Sequence, residues 1–245
     1  MKNVLLRVAL AGVLALPSCT LPNMAVEPTF KEQSQELTVE GRKAYKPNGS
    51  FMVGNYRVAQ VNRGWRNASG FSMLGYENIK MNQRYEFSLQ SPAGDQWFAF
   101  GASRLQEKNL RSDNGITLAV GKNLEYFVTH FTSPVSGQWC LLTVDPGQYV
   151  LRKKFEGELS NGGQHYKIAP IYKLEGSKLP AGDIVGYEFL QDGKRMAAVQ
   201  VINHGKVWLA KELEEDSRMV LLTAASSLLL YDKLQGTTDE MADMR

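Results

Sequence analysis

The sequence predicts a mainly β fold: a closed or nearly closed antiparallel β-barrel around a buried hydrophobic helix near the C-terminus. Two observations predict it. Short apolar runs recur along the chain, separated by turns rich in glycine, asparagine, aspartate and proline. One helix-like segment, residues 219–231, is apolar on every side, so other parts of the protein must surround it. A β-sandwich with one packed C-terminal helix is the alternative.

The strand pattern is clearest in the middle of the chain. Tyr85, Phe87 and Leu89 alternate with polar residues, and a turn at 91–95 leads into a second apolar run at 97–101. These two segments predict a hairpin. Further strand candidates end at turn residues, at intervals typical of sandwiches and barrels. They span 51–53, 56–61, 71–74, 116–120, 124–131, 138–144, 148–155 and 164–174.

The last third of the chain contains a strong hairpin signal. Asp192-Gly193 predicts a tight turn between strands at 184–191 and 195–202. A third strand candidate follows at 206–210. The segment therefore continues the antiparallel pattern up to the helix.

The helix candidate has the sequence MVLLTAASSLLLY at 219–231. A helix of this length rises about 20 Å at about 1.5 Å per residue, well short of the roughly 30 Å hydrocarbon core of a bilayer. We therefore expect it inside the protein rather than across a membrane. A barrel closed around the helix would bury all of its faces.

The elements from residue 186 onward occur in a specific order. They are a strand from Gly186, the Asp192-Gly193-Lys194 turn, a strand with Ala197-Ala198-Val199, a further strand, Asp216, and an apolar helix ending in 228-LLLYD-232. This order resembles the C-terminal third of the tubby and phospholipid-scramblase-like domains. The resemblance implies a twelve-stranded barrel threaded by a hydrophobic helix. Tubby domains bind phosphoinositide head groups and scramblases are tied to calcium and lipid movement, but no residues here match those sites position by position.

The N-terminus has the features of an export signal. Lys2 and Arg7 supply positive charge, and the apolar stretch at 8–16 is too short to span a bilayer. The stretch ends in 16-LPSC-19. This resembles a bacterial lipoprotein signal, which implies removal of residues 1–18 and lipid attached to Cys19. The alternative is an ordinary cleaved signal followed by an incidental cysteine.

The residue after the cysteine bears on location. In lipoproteins of the enteric type, aspartate at this position is associated with inner-membrane retention, and here it is Thr20. The resemblance thus implies the outer membrane, facing the periplasm, with the bilayer as a partner through the lipid. We expect residues 19–35 to be a lipidated tether, 36–235 a single β-rich domain and 236–245 a frayed tail.

Charge and cysteine content exclude other classes of protein. Loss of residues 1–18 removes two cations and no acid, so the formal net charge of +3 falls to about +1. This balance gives no support for nucleic-acid binding. With Cys19 lipidated, Cys140 is the only other cysteine, and no intrachain disulfide can form. We expect Cys140 to be a small buried apolar side chain.

The chain contains none of the common catalytic or metal-binding motifs, and His130, His165 and His204 are far apart in sequence. We therefore predict no catalytic residues, no metal site and no cofactor. The expected function is a non-catalytic binding, interaction or structural module, with lipid, a glycan or another envelope protein as partner. The alternative is a hydrolase of envelope polymers, whose carboxylates would have to meet in space.

Two segments are candidate binding residues. Trp65 lies between Arg63 and Arg66 in a loop-like stretch, whereas the other three tryptophans lie in strand-like runs typical of a core. An aromatic folded onto the barrel rim is the other interpretation of Trp65. The second segment, Arg152-Lys153-Lys154, could contact anionic lipid head groups or form a solvated strand end.

Overall fold

The computed structural model describes residues 22–43, 46–73, 76–111, 117–119, 124–146 and 154–234. Within these ranges, fourteen strands form one sheet and two helices accompany it. The strands are β1 Ser34–Glu40, β2 Phe51–Val53, β3 Tyr56–Arg63, β4 Asn67–Met73, β5 Tyr76–Gln90, β6 Gln96–Arg111, β7 Thr117–Ala119, β8 Leu124–Ser133, β9 Gly137–Asp145, β10 Glu156–Ser160, β11 His165–Ile171, β12 Gly186–Gln191, β13 Lys194–Gln200 and β14 Lys206–Ala210. The helices are α1 Pro28–Gln33 and α2 Glu215–Leu230.

Twelve of these strands close into a barrel. The order around the ring is β5-β3-β2-β1-β14-β13-β12-β11-β10-β9-β8-β6, and β6 pairs back onto β5. All of the described strand pairs are antiparallel. The predicted closed barrel is confirmed, and the sandwich alternative is excluded. The predicted hairpin around 91–95 is the pair that closes the ring.

Strands β5 and β6 continue past the rim of the barrel. Residues 85–90 of β5 pair with β3, whereas residues 76–82 pair with β4. Similarly, β6 pairs with β8 through 99–106 and then with β7 at 109–111. The strands β4-β5-β6-β7 therefore form an extension sheet beyond one end of the ring.

Helix α2 lies inside the barrel. All residues from 219 to 230 are buried, so the predicted core helix is confirmed. The hydroxyls of Thr223 and Ser227 donate to the carbonyls of Met219 and Thr223, which satisfies these polar groups within the helix. Each fully buried leucine contributes about 1.5–3 kcal/mol of hydrophobic stabilisation. No helix in the described part of the chain is long and apolar enough to cross a membrane.

The segment before β1 differs from the predicted tether. Glu27 caps α1 by accepting hydrogen bonds from backbone N–H groups in its first turn. Met24 and Phe30 are buried against Trp208 on the outer wall. Residues 24–33 are therefore folded onto the barrel, because these apolar side chains cover an outward-facing apolar cluster, and residues 34–35 already belong to β1. Cys19 and the predicted tail at 236–245 lie outside the described residues, as does most of the strand predicted at 148–155.

The antiparallel order assigns each connection to one end of the barrel. We call the end at which α2 finishes the exit end. It carries residues 41–43 and 46–50, the connections 64–66, 172–185 and 201–205, the extension sheet, and residues 231–234. The opposite end carries the connections 54–55, 91–95, 134–136, 161–164, 192–193 and 211–214.

Candidate functional site

Trp65 stands at the exit end with 92% of its surface exposed. It lies in the short connection between β3 and β4. The N–H of Gly64 donates to the carbonyl of Arg84 at 2.8 Å, and the side-chain amide of Gln83 donates to the carbonyl of Gly64 at 3.1 Å. These bonds fix the connection while the indole remains in water. The other three tryptophans are buried, as predicted: Trp97, Trp139 and Trp208.

Both arginines beside Trp65 interact with Asp232, in the segment that follows α2. Nη1 of Arg63 lies 3.8 Å from Oδ2 of Asp232, and Nη2 of Arg66 donates to the same oxygen. Burial lowers the pKa of Arg63, and the charge of Asp232 opposes that effect. The structure therefore joins the predicted arginines through an acid that is 166 residues away from Arg66. Sequence reasoning missed Asp232, because no local pattern links it to this loop.

A cleft of about 220 Å³ opens beside the Trp65 connection. Its walls come from residues 42–43 and 46–49, the end of β3, the 201–205 turn, and the last turn of α2 with the residues that follow it. The cations that line it are Arg42, Lys43, Lys46 and Arg63, and Asp232 is the carboxylate of the lining. The cleft therefore presents net positive charge.

Part of this positive charge has a structural role. Nη1 of Arg42 donates to the carbonyl of Val201 at 3.0 Å, and burial, followed by the charge of Arg63, lowers the pKa of Arg42. Both arginines lie near the last turn of α2, where cations gain about 0.3–1 kcal/mol from the helix dipole. The helix dipole therefore gives Arg42 and Arg63 a structural reason to lie here. It gives none for Trp65, so the exposed indole is the stronger indication of a functional site.

An acidic group lies across the same mouth of the barrel. Glu125 is fully buried and accepts the N–H of Leu234 at 2.7 Å. Nζ of Lys233 is 3.1 Å from Asp145 and 2.8 Å from Asp183. Burial lowers the pKa of Lys233, but the hydrogen bond to Asp183 and the two acidic charges outweigh burial and raise it overall. Sequence reasoning missed this group as well, since its acids come from distant strands and loops.

Asp232 and Lys233 are thus adjacent residues that attach to opposite sides of the mouth. Asp232 contacts the arginines at the end of β3, and Lys233 contacts the acids near β9 and β12. We call residues 231–234 the exit segment. Because Glu125 and Asp145 hold this segment, the structure uses these carboxylates to close the barrel.

The remaining sequence candidates lie apart from this site. Lys154 is exposed before β10, whereas Arg152 and Lys153 lie outside the described residues. Cys140 was expected to be buried but is half-buried on the outer wall, because its two strand neighbours take the inward positions. Burial and then the charge of Glu158 raise the pKa of the Cys140 thiol. Among the described residues, no group of three or more His, Cys, Asp or Glu side chains could hold a metal ion.

A second exposed surface was not distinguished from the sequence. Phe98 and Phe100 of β6, Tyr126 of β8 and Leu142 of β9 are each about half exposed on the outer wall. The register places Phe100 opposite His130, and Leu142 opposite Val128. Alternation predicted these strands, but it did not reveal that their outward positions are apolar as well.

The twelve-stranded barrel around a helix is the architecture implied by the resemblance to tubby and phospholipid-scramblase-like domains. The site at its exit end consists of an exposed indole, two arginines held by Asp232, and a cationic cleft. Kinship with that superfamily stays a prediction. Comparisons with models of known families, with curated proteins and with solved structures found no significant match to this chain.

Proposed function

We propose that this protein is a lipid-anchored, non-catalytic binding module of the bacterial cell envelope. Lipid on Cys19 holds it in the outer membrane, facing the periplasm. The sequence 16-LPSC-19 supports the anchor, and Thr20 supports the outer membrane. The partner belongs to the envelope and is a lipid, a glycan or another protein.

The exposure of Trp65 carries this proposal. A side chain that leaves 92% of its surface in water contributes little to the fold, yet its connection is pinned by the hydrogen bonds of Gly64 with Arg84 and Gln83 and by Arg66 with Asp232. Tryptophan and arginine are the residues most enriched where binding energy concentrates. A rigid, exposed indole beside arginines is therefore suited to a partner rather than to the core.

The arginines and the cleft favour an anionic group on that partner. Guanidinium groups form paired hydrogen bonds with carboxylates and phosphates. Nε of Arg63 is buried without a hydrogen-bond partner among the described residues, and such a donor costs about 1–3 kcal/mol. A bound anion that reached this donor would remove the cost. The indole could stack on a sugar ring or lie among lipid head groups at the same time.

Retention on envelope components tests the binding role. In a Cys19→Ala background, which removes the lipid anchor, the double variant Trp65→Ala with Arg66→Gln should lose at least tenfold in retention by envelope extract or liposomes, because two central contacts each contribute over about 1 kcal/mol. Val135→Ala is the matched control, since Val135 is 81% exposed at the opposite end. Equal retention of both variants would remove the Trp65 site from consideration.

The anchor is tested separately. Cys19→Ala should abolish incorporation of labelled fatty acid and should move the protein from the membrane fraction to the soluble fraction. If the Cys19→Ala variant is unlabelled but stays in the membrane fraction, the lipid anchor is contradicted, while the Trp65 result is unaffected.

A further inference from the structure

The chain between Cys19 and the barrel is short. Met24 is fully buried, its N–H donates to Oε1 of Gln200 at 2.8 Å, and it bridges to Leu174 at the exit end. Met24 follows Cys19 by five residues, and an extended chain spans at most about 3.6 Å per residue. A lipid on Cys19 would therefore hold Leu174 and its surroundings within about 18 Å of the bilayer.

Leu174 belongs to the connection 172–185, which has a defined shape. The N–H of Ala181 donates to the carbonyl of Tyr172 at 2.6 Å, and Lys173 bridges to Pro180. The hydroxyl of Ser177 donates to the carbonyl of Leu179 at 2.7 Å. These bonds form a small hairpin-like projection, whose tip is the loop 174–179 enclosed by the bridge between Lys173 and Pro180. Leu179 lies in this loop with 76% of its surface exposed.

The charges of this projection favour an anionic surface. Lys173 and Lys178 are both exposed on it. Its acids are neutralised by cations from elsewhere, because Glu175 pairs with Lys31 at 2.8 Å and Asp183 pairs with Lys233 at 2.8 Å. An exposed leucine flanked by lysines combines apolar insertion with attraction to anionic lipid.

We propose that the tip of this projection, Lys178-Leu179, docks on the anionic surface of the bilayer that holds the lipid anchor. This inference rests on the proposed lipidation of Cys19. The short chain from Cys19 to Met24 keeps the tip within reach of the head groups. Leu179 enters the interface, and Lys173 and Lys178 contact anionic lipid. The contact gives the barrel a fixed orientation, with the 172–185 side of the exit end against the membrane.

Fluorescence quenching by bilayer-located bromolipids tests the docking. The lipidated protein with Trp65→Phe and Leu179→Trp would be reconstituted in vesicles of phosphatidylcholine with phosphatidylglycerol. Of the four native tryptophans, only Trp65 is exposed, so the indole at position 179 dominates the accessible signal. Its emission should shift to shorter wavelength and be largely quenched. The matched control carries Trp65→Phe and Val135→Trp, and its indole at the opposite end should remain unquenched.

Removing the lysines tests the anionic surface. Each Lys→Gln change at 173 or 178 should weaken docking by about fivefold, as expected for one basic residue near an anionic surface. Vesicles of phosphatidylcholine alone should weaken it further. Equal quenching in neutral and anionic vesicles would contradict the anionic assignment.

Flotation with the vesicles separates the two proposals. Protein that floats without quenching at position 179, or with equal quenching at 179 and 135, would overturn the docking while leaving the anchor in place. Protein that does not float would overturn the anchor and, with it, the docking that depends on it.

Discussion

Different interactions close the two ends of the barrel. At the opposite end, α2 begins with acidic residues: Tyr56 donates to Glu215, and Ser133 donates to Asp216. These contacts join a helix N-terminus, which favours acids, to neighbouring strands. At the exit end, the mouth is crossed by the exit segment, whose Asp232 and Lys233 form long-range ion pairs.

The connections differ in charge as well. In the described connections of the exit end, lysines and arginines outnumber the acids Glu175, Asp183 and Asp232, whereas at the opposite end Asp95, Asp192, Glu212 and Glu214 outnumber Lys211. The exposed tryptophan lies at the cationic end. The candidate site therefore lies at the end where long-range ion pairs of the exit segment complete the barrel.

A charge in the middle of α2 should prevent the whole barrel from folding, and both ends would be lost with it. Ala225 is fully buried between the barrel walls. Ala225→Arg would place an unpaired charge there, at a cost that exceeds a typical stability of about 5–15 kcal/mol. We expect no folded protein by circular dichroism. Ala225→Gly, which costs about 1 kcal/mol in helix propensity, should still fold. A native spectrum for Ala225→Arg would contradict the enclosed helix.

Loss of the lysine in the exit segment should have the next largest effect. Lys233→Met removes the ion pairs of Lys233 with Asp183 and with the largely buried Asp145, and it should lower the free energy of unfolding by about 2–3 kcal/mol. Lys194→Met is the control at the opposite end, where an exposed pair with Glu212 contributes less than about 1 kcal/mol. Denaturant titration measures both. Equal losses would remove the distinction between the two ends.

The contacts at the start of α2 should contribute an intermediate amount to the free energy of unfolding. Asp216→Ala removes the acceptor for the Ser133 hydroxyl and an acid from the first helical turn. We expect the free energy of unfolding to fall by about 1–2 kcal/mol. Asp192→Asn, in an exposed turn of the same end, is a control for general loss of negative charge, because asparagine also tolerates the positive φ at this position. If both changes have the same effect, the contact with Ser133 contributes nothing.

Alkaline pH should weaken the opposite end. Burial, and then the negative charge of Glu215, raises the pKa of Tyr56 to about 12. An unfolded tyrosine ionises near pH 10, so its contribution is fully present below about pH 10 and is lost as pH rises towards 12. Tyr56→Phe should make the unfolding free energy fall less steeply over this range. An unchanged slope would show that Tyr56 does not titrate in this way.

The smallest effect on stability should come from the candidate site itself. Trp65→Ala should change the free energy of unfolding by less than about 0.5 kcal/mol, because the indole is almost fully exposed. Trp97→Ala is the contrasting variant, since that side chain is buried and its removal should cost about 3–5 kcal/mol. A large loss of unfolding free energy for Trp65→Ala would show that the side chain packs against the barrel.

Local signals predicted the barrel well. Tyr85, Phe87 and Leu89 are buried as their alternation implies. Asp192 and Gly193 adopt the positive φ angles, 50° and 79°, that a tight hairpin turn requires. The helix is apolar on every side, which predicted that other parts of the protein surround it, and the barrel strands do surround it. These features depend on residues that are near one another in sequence.

Features that depend on distant residues were not predictable. The pairing of Arg66 with Asp232 joins positions 166 residues apart, and no periodicity reports it. Helix α1 has six residues, too few to show a helical period, so its folding against the outer wall was missed. Trp65 was found because a tryptophan between arginines stands out in a loop, but its solvent exposure required the structure.

Cross-linking in living cells can show whether the exit end is the end that contacts the partner. A photo-cross-linking phenylalanine analogue would replace Trp65 in one variant and Val135 in the other, both of which are highly exposed. We expect adducts with an envelope component from position 65 and none from position 135. Adducts from position 135 with none from position 65 would contradict it.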